Sequence, residues 1–279
     1  MINRIERIRP SSFVPYLFPF IWAFVTLYPL FVALISSVKS NSEIFGSMFK
    51  LPVIYHFDNY SKAIYYANMF NCVKNSMILA AGSTLVLLII SSMVSFSISY
   101  FRCRFTSFLY VVFLFGMLLP VHSTLIPLAK MLASIKGMNN YPALMFLYAA
   151  FQLPMSVFII SGFMKGISQD LYDAAFIDGC SPWGVLFRIV IPLSTPAIAT
   201  SAIIASLFVY NELIFAVLFI SDKRLFTISL GLFSFVGFRT VEMGPIFASI
   251  IIAVVPMIIL YLLFHERVQK GMLAGAIKE

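Results

Sequence analysis

Residues 171–199 read LYDAAFIDGCSPWGVLFRIVIPLSTPAIA. The stretch holds Asp173 and Asp178, just after Asp170, in a 279-residue chain of which only 11% is charged. Ser168 is placed to cap a helix that carries Gln169 and Asp170 in its first turn, since a side-chain oxygen satisfies orphan N–H groups and an early carboxylate suits the helix dipole. That helix is expected to stop near Asp178, with Gly179 taking the left-handed conformation of the residue past the cap. A second helix follows: Ser181 can cap it, Pro182 fits its first position, and Pro192 limits its far end. The segment therefore reads as a compact helix-turn-helix over about 168–191. On its first helix Leu171, Ala174, Ala175 and Asp178 recur at spacings of three and four, which predicts one small, mostly apolar face open to close approach.

What surrounds this segment decides the class. Runs free of Asp, Glu, Lys and Arg cover 10–38, 75–101, 105–129, 137–164, 189–211 and 243–264. Each reaches the ~20 residues needed to cross ~30 Å of hydrocarbon. With 61% hydrophobic residues and a mean hydropathy of +0.97, the chain has no soluble core large enough to hide six such runs. The reading is an all-α, polytopic integral membrane protein of one domain. Its spans are expected at about 12–38, 75–101, 105–127, 141–163, 196–220 and 245–264. No repeat, low-complexity run or linker divides it.

Six spans put both termini on one side. Arg4, Arg7 and Arg9 before the first span, and the short Arg102-Cys103-Arg104 turn, place that side in the cytoplasm of a bacterial cell membrane. The helix-turn-helix is then cytoplasmic, while 39–74, 127–140 and 221–244 face outward. The first run is too long for a signal-peptide core and lacks an A-x-A-like cleavage site.

Several functions are excluded. Cys72, Cys103 and Cys180 are an odd count without C-x-x-C, so neither a disulfide framework nor a zinc site is expected. His56, His122 and His265 lie on separate segments and show no metal-ligand spacing. The net charge of +8 is scattered over all loops, which suits a membrane lipid surface and gives no nucleic-acid footprint. There is no G-x4-G-K-[ST] phosphate loop, so the chain binds no ATP itself, and no catalytic constellation is visible.

Asp173-Ala174-Ala175, three residues, Gly179, nine residues, Ile189, one residue and Ile191-Pro192 resemble the EAA loop, E-A-A-x3-G-x9-I-x-L-P, of ABC importer permeases. Asp173 replaces Glu, Ile191 replaces Leu, and Ser168 stands where a proline often precedes the motif. FDNY at 57–60, NS at 75–76, FIDGCS at 176–181, YNEL at 210–213 and the tail GMLAGAIKE from Gly271 extend the likeness along nearly the whole chain. The chain is similar to the smaller, six-span partner in carbohydrate-type, maltose-permease-like pairs.

This resemblance implies the type I ABC importer permease fold, a second homologous permease subunit, two copies of a cytoplasmic ATPase that bind ATP and Mg, and an extracellular or periplasmic solute-binding protein. It implies that Asp173, Ala174, Ala175, Gly179, Ile191 and Pro192 couple to the ATPase. It further implies that the tail, with Gly271, Gly275 and Lys278, reaches the ATPase dimer, and that the outer loop 221–244 touches the binding protein.

Inside the spans the candidates for a translocation pathway are Gln152, Tyr210, Asn211 and Glu212. An ionisable group at mid-membrane costs at least ~2.5–3.5 kcal/mol and marks a functional site or a paired structural one. For Glu212 both readings stand, and Gln152 can equally join helices. The rival to an ATP-driven importer is a self-sufficient ion-coupled transporter or channel; such proteins commonly show paired or inverted repeats and intramembrane charges, whereas this chain shows no repeat and one strong candidate, Glu212. A receptor or assembly factor without transport is the other alternative.

Overall fold

The computed structural model describes residues 14–101, 103–235 and 242–276, with side chains described only from residue 16 and up to residue 263. Among the described residues the chain is helical and contains no strand. By its internal contacts it divides into two compact units, residues 1–68 with 234–254 and residues 69–233 with 255–279.

The first unit opens with α1 (Val14–Ser36), continues through the short α2 (Asn41–Gly46) to α3 (Asp58–Tyr66), and includes the start of the last helix. α2 begins with a reciprocal cap. Ser40 Oγ accepts from Glu43 N, and Glu43 accepts from Ser40 N at 3.0 Å and, through its other oxygen, from Val53 N at 2.9 Å. These amides of Ser40 and Val53, with a smaller contribution from that of Ile54, hold Glu43 down to a pKa of about 2.

The second unit is built on α4 (Met69–Phe101), α5 (Arg104–Gly116), α6 (Leu125–Ser134) and α7 (Tyr141–Met164). It adds α8 (Gln169–Ile177), α9 (Pro182–Val185), α10 (Ile191–Leu193), α11 (Thr195–Asn211), α12 (Ile214–Phe219) and α13 (Ile228–Ser234). The final helix is α14 (Met243–Ala276). α4 packs mainly on α7 and α11, and its buried face is rich in small hydroxyl residues: Ser76, Ser83, Thr84, Ser91, Ser92, Ser95 and Ser99. Small residues let helix backbones approach where lipid removes the hydrophobic drive for helix association. Hydroxyl pairs stitch the same bundle, Thr84 with Ser206 at 3.0 Å and Ser201 to Ser156 at 2.7 Å.

Among the described residues four helices are long and apolar enough to cross a membrane, and the total is six if each of two bent pairs counts as one span. One bend, of 90° between Gly116 and Val121, lies inside an expected span, and the other, of 77° at Ser194, joins Pro182–Leu193 to α11. In the third span α5 stops at Gly116, and the chain turns by 90° into a 3-10 turn, Val121–Thr124, and α6. Pro120 lacks an N–H and forces the preceding residue away from helical geometry, which accounts for the stop. In the fifth span α11 ends at Asn211, and after Glu212 and Leu213 the chain restarts as α12.

Candidate functional site

The segment 168–193 forms an elbow. α8 ends as its sequence requires: Gly179 has φ +81°, its N–H donates to Phe176 O, and the Cys180 N–H donates to Ala175 O, both at 3.0 Å. Ser181 Oγ accepts from Gly184 N at 3.2 Å and starts the second helix at Pro182.

Three local expectations differ from what is seen. Ser168 occupies the cap position of α8, but its side chain accepts no capping bond. The second helix does not end at Pro192. It widens into a π-helical turn over Leu186–Val190, with Ile191 N donating back to Leu186 O, and continues through α10 to Leu193. The wider turn answers the N–H that Pro192 cannot offer and the room its ring needs. The true corner is Ser194, where the chain bends by 77° into α11.

Ala174 and Ala175 also part company, because Ala175 is buried whereas Ala174 is exposed with Asp173 and Asp178. The small face expected from the spacing is thus split between core and surface. Tyr172 and Ala175 on α8, with Val185, Leu186 and Val190 from the second helix, pack against Phe96 of α4 and Ile160 and Met164 of α7. Tyr172 lies 5.5 Å from the Tyr100 ring, and Phe176 lies 5.3 Å from it, which fixes the elbow to the C-terminal end of α4. The opposite side is bare and apolar: Ile177 is 85% exposed, Trp183 57% and Phe187 58%, the last two stacked at 6.2 Å. A rigid ridge of this sort suits a partner's cleft. Ile191 is half-buried and Pro192 exposed at its end.

The second constellation gathers at the two span breaks. Glu212 is 9% exposed, and both of its carboxylate oxygens accept hydrogen bonds. Oε1 accepts from Phe215 N at 2.8 Å, and Oε2 accepts from Ala216 N at 3.1 Å and from the Tyr148 hydroxyl at 2.7 Å. The side chain therefore caps α12 and ties the break in the fifth span to α7. Beside it lies an open depression of about 530 Å3, lined by His122, Leu207, Phe208, Asn211, Glu212, Leu213, Ile214 and Phe215. Of the four pathway candidates, Asn211 and Glu212 line this depression, while Tyr210 is buried in the bundle and Gln152 stands half-buried elsewhere on α7. His122, for which the sequence showed no metal-ligand spacing, sits just past the other break with its ring stacked 6.3 Å from Phe215.

Residues 92–274 match the family of binding-protein-dependent transport system inner membrane components. The chain belongs to that family. It is a multi-pass membrane permease component and not the ATPase of its system. It is 33% identical to a trehalose/maltose transport system permease protein of Thermococcus litoralis, over 94% of this chain and 91% of the relative. It is 28% identical to a diacetylchitobiose uptake system permease protein of Streptomyces coelicolor, over 92% of this chain and 86% of the relative. A chain from the crystal structure of a bacterial ABC transporter involved in alginate import shares its fold, with a TM-score of 0.80 at 20% identity over 95% of this chain and 98% of that one.

The remaining motif residues of this permease component act as clasps. Asn59 of FDNY donates to Ser37 O at 3.0 Å and to Lys39 O at 2.9 Å, and Tyr60 OH shares a 2.8 Å bond with Ser37 Oγ. A Cβ at Gly244 would collide with the Asn59 amide, so α14 can start there only because that position is glycine. Asn75 donates to Arg224 O at 2.8 Å and to Phe226 O at 3.1 Å, and Ser76 Oγ accepts from Ile228 N at 2.8 Å. Asn139 Oδ1 accepts from Ser221 N and Asp222 N. These bonds hold the segment 221–228, the described start of the loop expected to meet a binding protein. Cys72, Cys103 and Cys180 form no disulfide. Gly271 and Gly275 lie in α14, and Lys278 lies outside the described residues.

Proposed function

We propose that this permease component imports a carbohydrate, a sugar or oligosaccharide, delivered by an extracellular binding protein. In this reading it pairs with a second homologous permease and with two ATPase subunits that hold ATP and Mg. Both termini and the elbow are cytoplasmic. The observation that carries the reading is the two-sided elbow, whose one face is locked to α4 and α7 while Ile177, Trp183 and Phe187 stand bare beside the Gly179 turn. Closure of the ATPases pushes on that ridge, and a stiff helix pair passes the movement to the spans. Asp173, Ala174 and Asp178 border the ridge, and the tail with Gly271, Gly275 and Lys278 gives a second contact to the ATPases. The names of the sugar permeases to which the chain is similar support the carbohydrate class.

An ion-coupled transporter would need Glu212 open to its ion, whereas this carboxylate is taken up by two backbone amides and a tyrosine. Co-purification of the chain with the other products of its transport system tests the importer. The assembled complex is expected to hold nucleotide and to take up sugar only with ATP and the binding protein. Uptake by this chain alone in vesicles would overturn it.

A further inference from the structure

Non-helical backbone at membrane depth survives only where protein buries it or where it borders an aqueous cavity. Here the helical chain is interrupted at 117–120, before the turn Val121–Thr124, and at 212–213, between α11 and α12, and His122 just past the first interruption lines one depression with Glu212 and Leu213 of the second. The second break is held from within, since Glu212 takes two of the free amides at the start of α12, those of Phe215 and Ala216. It therefore persists without a ligand and leaves the neighbouring polar groups open.

Those groups are an amide and an imidazole. Asn211 is exposed, its Nδ2 donates to Leu207 O at 2.9 Å, and its Oδ1 has no partner among the described residues. His122 is exposed, yet its ring plane is fixed against Phe215, a fully buried ring braced by Phe151 at 5.0 Å and Phe219 at 5.8 Å. A held imidazole edge and an open amide offer both donors and acceptors, the complement of a polyol. Phe208 adds an apolar flank. With Glu212 turned inward to its cap, the wall presents no free carboxylate to a cation.

We infer that His122 and Asn211 form a hydroxyl-reading pair for the passing sugar, on a wall made by the two interrupted spans. This rests on the carbohydrate reading above. The solute touches these two side chains, and Glu212 and Tyr148 only hold the wall in place.

The test uses the whole reconstituted transporter with its binding protein. Wild-type uptake of a panel of neutral oligosaccharides (maltose, melibiose, raffinose) comes first, and a complex that takes up none of them overturns the carbohydrate reading and this inference together. With a transported sugar in hand, H122C, N211C and, as a control away from the depression, V217C are made in a chain whose own cysteines are replaced. Each is treated with a small methanethiosulfonate reagent during turnover. The expected result is at least about fivefold slower labelling at 122 and 211 when the sugar is present, with no change at 217. Sugar uptake by the wild type without selective protection at 122 and 211 overturns the inference and leaves the carbohydrate reading standing.

Discussion

The Tyr148 hydroxyl donates to Glu212 Oε2 at 2.7 Å, joining residues 64 positions apart, and the same carboxylate receives the Phe215 and Ala216 amides of α12. The order of damage follows. Tyr148→Phe removes one interhelical bond, worth about 0.6–2 kcal/mol in a membrane protein. Glu212→Gln keeps acceptors for only part of the set. Glu212→Ala strands two buried amides and the hydroxyl at about 1–3 kcal/mol each. Thermal unfolding in detergent is expected to rank them Y148F, E212Q, E212A by increasing loss, and equal stability of wild type and E212A would refute the cap.

Gly179 stands at φ +81° with open space around it, so only its backbone resists substitution. Gly179→Ile adds about 1–2 kcal/mol of left-handed strain in the elbow's turn. The complex should still assemble and hydrolyse ATP, while uptake per ATP falls. Gly179→Asn should be milder, because Asn tolerates this conformation. Transport by G179I at the wild-type rate contradicts the coupling role.

Tyr172 is 1% exposed and wedged between Tyr100 and Phe96. Tyr172→Ala leaves a cavity costing about 3–5 kcal/mol and loosens the elbow from α4. Uptake should drop more than ATP hydrolysis does, and Tyr172→Phe should restore most of it. Equal losses in both variants would assign the effect to the hydroxyl and not to packing.

Glu43 sits outside the spans, and its backbone bonds hold its pKa at about 2 against an ordinary 4.5. A depressed carboxylate contributes stability that is present above its unfolded pKa and lost as the pH falls through its folded one. Amide protection at Val53 should therefore survive acidification to about pH 4 and fade between there and about pH 2. Glu43→Ala should show weak protection at every pH, and protection independent of both would remove Glu43 from the cap.

The elbow was the most legible part of this chain because its signals are local: Gly179 reports a left-handed turn, and Ser181-Pro182 reports a helix start. The split of Ala174 from Ala175 was not, since helical spacing alone cannot say which side of an apolar stripe meets the bundle. Pro192 was read as a stop, but a π-helical turn let the helix carry it. In the third span Pro120 was a visible breaker inside an uncharged run, and counting apolar residues hid it. The fifth span has no proline or glycine at its break, only Glu212, whose role depends on Tyr148 in a distant helix. For the same reason His122 could not be joined to Asn211 from sequence, because a long-range ring stack on Phe215 brings them together.

The most direct measurement is side-specific labelling of the elbow tip. Ile177→Cys, in the assembled transporter with its other cysteines replaced, is exposed to a membrane-impermeant maleimide in oriented vesicles. Reaction is expected only from the cytoplasmic face, and to slow strongly when the ATPase subunits are bound. Labelling from the outer face, or labelling from the inner face that the ATPases leave unchanged, would contradict the account.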